Sequence, residues 1–560
     1  MATSLAAACV PATFGNLALF GAEILSLQTN LVTNFSASVP GVFRFTQPST
    51  ELKEATFCNV TVTYTHPGQN DNIIVEAWLP ASEDDWNSRF LAVGGGGFVA
   101  GRFVLSYANM QGALADGYAT ITTDAGLGST NEPSSWALLS PGNVNPFNLQ
   151  NIAYVSLNDE AIIGKSLIKS YYGKPPSYSY WNGCSQGGRQ GMMLAQRYPT
   201  AYDGISAAAP AIFWTELFTT VAWTQHVMKN VLGAFPHMCE LDAITNAAIA
   251  ACDALDGVVD SIVAETDACL ATFDPFQLVG AAVPYCRDAV NGETVSVTRA
   301  AAAVANASWH GITSPDGTKQ LWYGFNPGAN LTNVISDPRT GATGLGPAAT
   351  NCTSGSCVGL PNGLALPWWN LFIARGDPGL AFNAINTTAE FDSMMHLSKQ
   401  LYSHINTDDA DLTEFRDAGG KIVSFHGLAD TTIPPNGTRH YFNSVAAKVS
   451  NIDTFYRHYE IPGMGHCFGG PTGQPSSLFE QLRAWVENGT APGSTPIQVT
   501  NLDGKLEDRI LCPYPQKARL LGSDSGVVGG AGYGNSTTCS QKKWVCVDST
   551  DGLNASIPDL

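Results

Sequence analysis

Between residues 178 and 197 the sequence passes from a short β-type stretch, YSYW, through Gly183-Cys184-Ser185-Gln186-Gly187-Gly188 into a segment with helical spacing. Glycines on both sides of Ser185, in a G-x-S-x-G pattern, permit a strained turn that lifts the serine above the carboxyl edge of a sheet. The pattern alone also occurs in plain Gly-rich turns, so its context carries the weight. A strand precedes it, a helix follows, and an acid and then a histidine come later. Asp430 follows the apolar run KIVSFH (421–426), and His466 lies in Gly463-Met464-Gly465-His466 after a strand-like stretch at 454–461. Serine is a poor nucleophile at neutral pH. It needs a base, and the base needs a carboxylate to hold its tautomer. His426 also ends a strand near Asp430, but it precedes the acid and so breaks the order Ser, Asp, His. His458, mid-strand beside Arg457, reads as structural, and His66 and His310 read as surface residues in loops without partners.

The wider pattern agrees. Up to about residue 80 the chain is rich in β-branched residues, as in TFCNVTVTYT (56–65) and IIVEAWL (73–79). RFLAV (89–93) enters Gly94-Gly95-Gly96-Gly97, ATITTD (119–124) is another strand, residues 152–172 have helical spacing, and one-face spacing returns at 478–486. Alternating strands and helices predict an α/β fold with a mostly parallel sheet. From about Phe213 to His404 the alternation stops. Completing a sheet between Ser185 and Asp430 takes only about 100 residues with short connections, and the actual interval is more than twice that. The excess is read as an insertion that emerges at the carboxyl edge, covers the site and supplies its pocket. The expected division is 1–212 and 405–560 for the catalytic domain, with 213–404 as a lid. Trp214, Trp368 and Trp369 are candidates to stack on an aromatic group, with core packing the commoner role for any one of them.

Composition narrows the setting. With 28 basic against 47 acidic residues the net charge is −19, and no basic cluster is present. That argues against nucleic acid or an anionic membrane as partner. No run of about 18 apolar residues is present to span a bilayer. Thirteen cysteines without a CxxC repeat suggest disulfides rather than zinc. Sequons begin at Asn34, Asn59, Asn306, Asn330, Asn351, Asn386, Asn436, Asn488, Asn535 and Asn554. Together these predict a secreted glycoprotein. The start, MATSLAAAC, lacks the basic region of a signal peptide, and Met1 is read as an added start on a mature chain. The length of 560 residues would suit three or four domains, but the motif order redistributes it into one core and one insertion. Three carboxylates in CDALDGVVDSI (252–262) form either a solvated acidic turn or a cation loop. The spacing is not that of an EF-hand, and an oxygen-only donor set suits calcium over zinc.

Cys184 precedes Ser185 and Cys467 follows His466. A disulfide between them would hold the two Cα atoms within about 7 Å. This CS…D…HC arrangement resembles the tannase/feruloyl esterase family of secreted α/β hydrolases. The similarity extends over YWNGCSQGGRQG, GGKIVSFHGLAD, IPGMGHC and WVENGTAP. The resemblance implies an α/β-hydrolase fold with a large lid inserted between nucleophile and acid. It implies Ser185, Asp430 and His466 as the triad, and Cys184–Cys467 as the bond that pins it. The oxyanion hole would come from Gln186 and from the glycine loop, with Gly96 the first choice and Gly97 the second. A structural calcium would bind Asp253, Asp256, Asp260 and the carbonyls of Val258 and Ile262, in a loop closed by Cys252–Cys269. Further expected bridges are Cys9–Cys58, Cys239–Cys286, Cys352–Cys357 and Cys512–Cys546, leaving Cys539 odd. The substrate would be a small ester of a plant phenolic acid. The run CELDAITNAAIAACDALDG and the VPYC segment resemble fungal tannases more than feruloyl esterases, implying galloyl esters first and feruloyl, cinnamoyl or chlorogenate esters second. The dibasic processing site of some fungal tannases is absent from the insertion. A catalytically silent polyphenol- or glycan-binding protein on the same fold is the reading from another class, and the intact triad and cysteine pair argue against it.

Overall fold

The β-branched N-terminal part forms long antiparallel strands. β1 (Glu23–Val39) pairs with β2 (Thr50–Thr65), and β2 with β3 (Ile73–Pro80). The strands that follow are shorter: β4 (Arg89–Val93), β5 (Ala119–Thr123), β6 (Tyr178–Cys184), β7 (Gly204–Ala208), β8 (Lys421–Gly427) and β9 (Tyr456–Ile461). They complete a nine-stranded sheet in the order 1-2-3-5-4-6-7-8-9. Every pair from β5 to β9 is parallel. These strands are buried on both faces, which is why they read as continuous apolar or small-residue runs. The structure is a computed structural model that describes residues 5–288, 291–336, 343–353, 356–521 and 543–548; Cys539, Asn535 and Asn554 lie outside the described residues.

Helices cover both faces. α1 (Val104–Ala115) and α9 (Leu478–Asn488) pack Met110, Leu114, Leu482 and Trp485 onto Leu91, Tyr180, Val423 and Tyr459. On the other face lie α2 (Ser156–Tyr172), α3 (Gln186–Arg197) and α8 (Pro435–Lys448), which bring Ile163, Met192 and Tyr441 against Ile121, Trp181 and Ile422.

Between β7 and β8 the chain adds no strand to this sheet. Instead α4 (Trp214–His226), α5 (Met238–Cys252), α6 (Arg299–His310) and α7 (Thr388–Tyr402) gather around a separate aromatic core. Trp368 stacks on Phe372 at 4.7 Å and Trp369 meets Phe391 at 5.1 Å, so both belong to that core. The core also takes in Phe98, Trp136 and Ile433, from the loops after β4, β5 and β8. The inserted segment therefore rests on the carboxyl edge of the sheet.

All six expected cysteine pairs are bonded: Cys9–Cys58, Cys184–Cys467, Cys239–Cys286, Cys252–Cys269, Cys352–Cys357 and Cys512–Cys546. Among the described residues no helix is long and apolar enough to cross a membrane.

Candidate active site

Ser185 stands between the last residue of β6 and the first of α3, with φ 62° and ψ −120°. A non-glycine residue holds such a conformation only where its surroundings impose it. Here the Ser185 N–H donates to Ala208 O (3.0 Å), and its carbonyl accepts from the N–H groups of Arg189 (2.9 Å) and Ala211 (3.1 Å). The motif glycines let three backbone segments touch. A Cβ on Gly183 would lie 2.5 Å from the Gly187 carbonyl carbon, and one on Gly94 would lie 2.5 Å from Gly187 Cα.

Asp430 follows β8 in a turn held by its own carboxylate. Its Oδ1 accepts from the N–H groups of Thr432 (2.7 Å) and Ile433 (2.9 Å). Its Oδ2 lies 2.7 Å from His466 Nδ1 and 3.0 Å from His426 Nε2. Burial alone would push this carboxyl up, but the charge of His466 and hydrogen bonds from both imidazoles outweigh it and hold the group well below the usual carboxylate range. Because a carboxylate only accepts, His466 carries its proton on Nδ1 and leaves Nε2 free as a base. His466 sits at the tip of a loop closed by Gly465 N–H to Gly469 O at 2.9 Å, and its side chain is 18% exposed. His426 is fully enclosed, with Nδ1 2.8 Å from Thr438 Oγ1. Both its nitrogens are engaged by protein, which rules it out as the base.

The Cys184–Cys467 disulfide sets the Cα atoms next to Ser185 and His466 6.0 Å apart. Among the described residues Ser185 Oγ makes no hydrogen bond to His466; contacts of this kind commonly tighten only around bound substrate. A narrow cleft opens beside Ser185, lined mainly by Trp214, Leu217, Phe218, Val221, Leu364 and Ile433, with Gly97, Gln186, Asn362 and Thr432 adding polar groups. Trp214 is thus the one of the three candidate tryptophans that reaches the site.

Two expectations are corrected. The Gly96 N–H is already spent, donating to Val99 O at 3.0 Å, whereas Gly97, at φ +56°, lines the pocket with Ser185 and Gln186. The glycine loop is registered by Gln190 of α3, whose Oε1 accepts from the Gly95 N–H (2.9 Å) and whose Nε2 donates to Ala100 O (2.9 Å). Gln186 opens α3, so its N–H has no acceptor within the helix. His66 is also not a surface residue. It is buried, with Nδ1 2.7 Å from Asp71 and Nε2 3.2 Å from Asp159. Asp71 faces it across the same turn and Asp159 comes from α2, a pairing that helical or strand spacing does not reveal.

The acidic loop is held by its own carboxylates. Asp253 Oδ1 accepts from the N–H groups of Asp260 and Ser261, both at 2.9 Å, and Asp256 Oδ1 accepts from Val258 N–H at 3.0 Å. Asp260 pairs with Arg509. Burial, with the charge of Asp260 adding to it, pushes the Asp256 carboxyl up to about 6, and burial also raises Asp260. The loop offers only oxygen donors, the type a hard cation such as calcium takes, while Arg509 already neutralises part of the charge on Asp260.

A parallel sheet in this order, carrying a strained serine at a strand-to-helix turn and an Asp–His pair on the loops after its last two strands, defines an α/β hydrolase built for nucleophilic catalysis. The model of the family "Tannase and feruloyl esterase" matches residues 58–528, and the chain belongs to that family of carboxylic ester hydrolases. It is 38% identical to a probable feruloyl esterase of Arthroderma benhamiae, over 85% of each chain. It is 29% identical to a tannase of Aspergillus oryzae over 84% of each. Among solved structures, tannin acyl hydrolase from Aspergillus niger superposes with a TM-score of 0.80 at 28% identity, covering 98% of this chain and 97% of that one.

Proposed function

We propose that this chain is a secreted serine esterase that hydrolyses esters of plant phenolic acids through an acyl-enzyme. The observation that carries the reading is the His466 ring, oriented by Asp430 and tied through Cys467 to the residue before Ser185. His466 Nε2 takes the Ser185 proton as Oγ attacks the ester carbonyl. The N–H groups of Gln186 and Gly97 receive the oxyanion, and His466 then returns the proton to the departing alcohol. Water repeats the sequence on the acyl-enzyme and releases the acid. Each oxyanion donor of this kind contributes roughly 10²–10³ in turnover.

The acyl group is read from the pocket. Three adjacent hydroxyls of a galloyl ring each need a partner when buried, and an unmet one costs about 1–3 kcal/mol. The wall is mostly Trp, Phe, Leu, Val and Ile, which favours a hydroxycinnamoyl group with its apolar vinyl arm. The 38% identity to a probable feruloyl esterase points the same way. Galloyl esters are the second reading, favoured by the superposition on tannin acyl hydrolase. Rates on methyl ferulate, methyl gallate and chlorogenate decide between them: methyl ferulate should be fastest by kcat/KM, and a gallate preference would reverse the assignment. Ser185→Ala should abolish turnover of all three, and persisting turnover would refute the triad.

The segment 213–404 acts as the lid, and calcium belongs to it. Asp253, Asp256, Asp260 and the carbonyls of Val258 and Ile262 would hold the ion. Bound there, it would add positive charge beside the loop carboxylates and stiffen the loop. Secretion is supported by six disulfides, which suit an oxidising compartment. Asn34, Asn330, Asn386 and Asn488 are exposed and suit glycosylation, whereas Asn59 donates its amide to Glu76 at 3.0 Å within the sheet.

A further inference from the structure

The hydrogen bonds around Asp430 continue past the triad. His426 Nε2 faces two acceptors, Asp430 Oδ2 at 3.0 Å and Ile433 O at 3.2 Å. With acceptors only on that side, Nε2 must carry a proton. On the other side Nδ1 meets the Thr438 hydroxyl at 2.8 Å, on the first turn of α8. His426, Asp430 and Thr438 are all buried. A buried imidazole normally packs against apolar groups or bonds to backbone. This one spends its N–H on the same carboxylate oxygen that holds His466.

We infer that His426 is a positioning residue of the esterase reaction: it clamps the Asp430 carboxylate and moderates how strongly that carboxylate holds the proton on His466. Two physical consequences follow from the shared oxygen. First, Oδ1 takes two backbone N–H groups and Oδ2 takes two imidazoles, so the carboxylate has no rotation left about its Cβ–Cγ bond. Loss of the His426 donor frees that rotation and loosens the aim of His466. Second, two donors divide the negative charge of one oxygen. Without His426 the full acceptor strength falls on His466, which then gives up its proton less readily. The charged and titratable groups around His426 are Asp430 and His466 from the two loops, His458 from β9 and, further out on α8, Arg439. Thr438 fixes the ring from behind, so α8 is coupled through two side chains to the acid.

This inference rests on the reading of Asp430 and His466 as acid and base, and His466→Ala serves as its control. Three variants test it on methyl ferulate. His426→Phe fills the space without a donor, His426→Gln restores an N–H, and Thr438→Val removes the hydroxyl isosterically. In His426→Phe, kcat should fall roughly 10- to 100-fold, in line with the cost of misplacing a catalytic group by about 1 Å. KM should stay within about twofold, and the acid limb of kcat/KM should move to higher pH. His426→Gln should recover most of the kcat and the wild-type pH profile, and Thr438→Val should lie between. A His426→Phe enzyme with unchanged kcat and pH profile overturns the inference, as does equal loss in Phe and Gln variants with an unmoved acid limb. Should the Phe variant not fold, a wild-type kcat in Thr438→Val together with an inactive, folded Gln variant overturns it. If His466→Ala keeps its activity, the base assignment fails; if it is dead and His426→Phe keeps the wild-type kcat and pH profile, only the positioning role fails.

Discussion

The Cys184–Cys467 bond should matter more to catalysis than to stability, and a second disulfide allows the two effects to be separated. It joins residues 283 apart, whereas Cys9–Cys58, at the start of the chain, joins residues 49 apart. Chain-entropy arguments give about 5.5 kcal/mol for the longer loop and about 4 kcal/mol for the shorter. The dependence is logarithmic, so the bridges nested inside the longer loop change its figure little. Removing either bond should therefore lower Tm by a similar amount, about 3–5 °C for a chain of this length. Only the first change frees the Ser185 turn from the His466 loop. Cys467 itself holds φ 61°, and without the bond the tight loop it ends has less reason to keep that conformation. A displacement of about 1 Å there costs ~10² in turnover. The assay is kcat on methyl ferulate well below both melting points, for Cys184→Ser/Cys467→Ser and for Cys9→Ser/Cys58→Ser, with Tm measured in parallel. The first variant should lose about two orders of magnitude in kcat and the second almost nothing. Equal kcat in the two, at similar Tm, would refute the pinning argument.

Further outcomes follow from the same geometry. In Gly97→Ala the new Cβ lies 2.2 Å from Asn131 Oδ1 at a φ of +56°, so kcat should fall ~10²–10³; in Gly96→Ala the Cβ meets the Phe103 ring, 3.2 Å from Cζ, and the loss should be smaller. The reverse order would return the oxyanion role to Gly96. Chelation should lower Tm, calcium should restore it, and Asp253→Asn should abolish the response; a chelator-insensitive Tm would remove the metal from the scheme. Burial holds His458 down at about 3, and burial with the charge of Lys229 holds His226 down at about 4. Below about pH 6.5 the unfolded chain takes up protons that these two folded sites refuse, so stability should fall as pH drops from about 6.5 towards 4. Denaturant midpoints at pH 7.5, 5.5 and 4.5 would show it, and a flat series would contradict the burial of these rings.

The catalytic elements were legible because each is local. RFLAV, YSYW and KIVSFH became β4, β6 and β8, each a short buried run ending in a glycine or cysteine turn that carries a functional group. Serine, acid and histidine could be picked out because each follows such a run. Elsewhere the signal was missing for physical reasons. β7 is GISAA, small residues buried on both faces, with no alternation to read. The N–H that distinguishes Gly96 from Gly97 depends on a hydrogen bond to Val99, formed by a turn that four identical glycines do not encode. Of the partners of His66, Asp71 lies five positions on across the turn before β3, and Asp159 ninety-three positions away on α2.

The pocket beside Ser185 shows the same limit at the level of function. Trp214, Leu217, Phe218 and Val221 come from α4, Leu364 from the far part of the insertion, Ile433 from the turn after Asp430, and Gly97 from the loop after β4. Four separate segments meet at one wall, and the two from the insertion carry no recognisable motif. The reacting groups are set by turns within single segments, so family membership fixes the bond that is broken. The acyl group is set by how the inserted helices pack on the sheet edge, which varies with every side chain in a core of tryptophans and phenylalanines. A chain 38% identical to one named esterase and superposing at 0.80 on another can therefore share the chemistry of both and the specificity of only one.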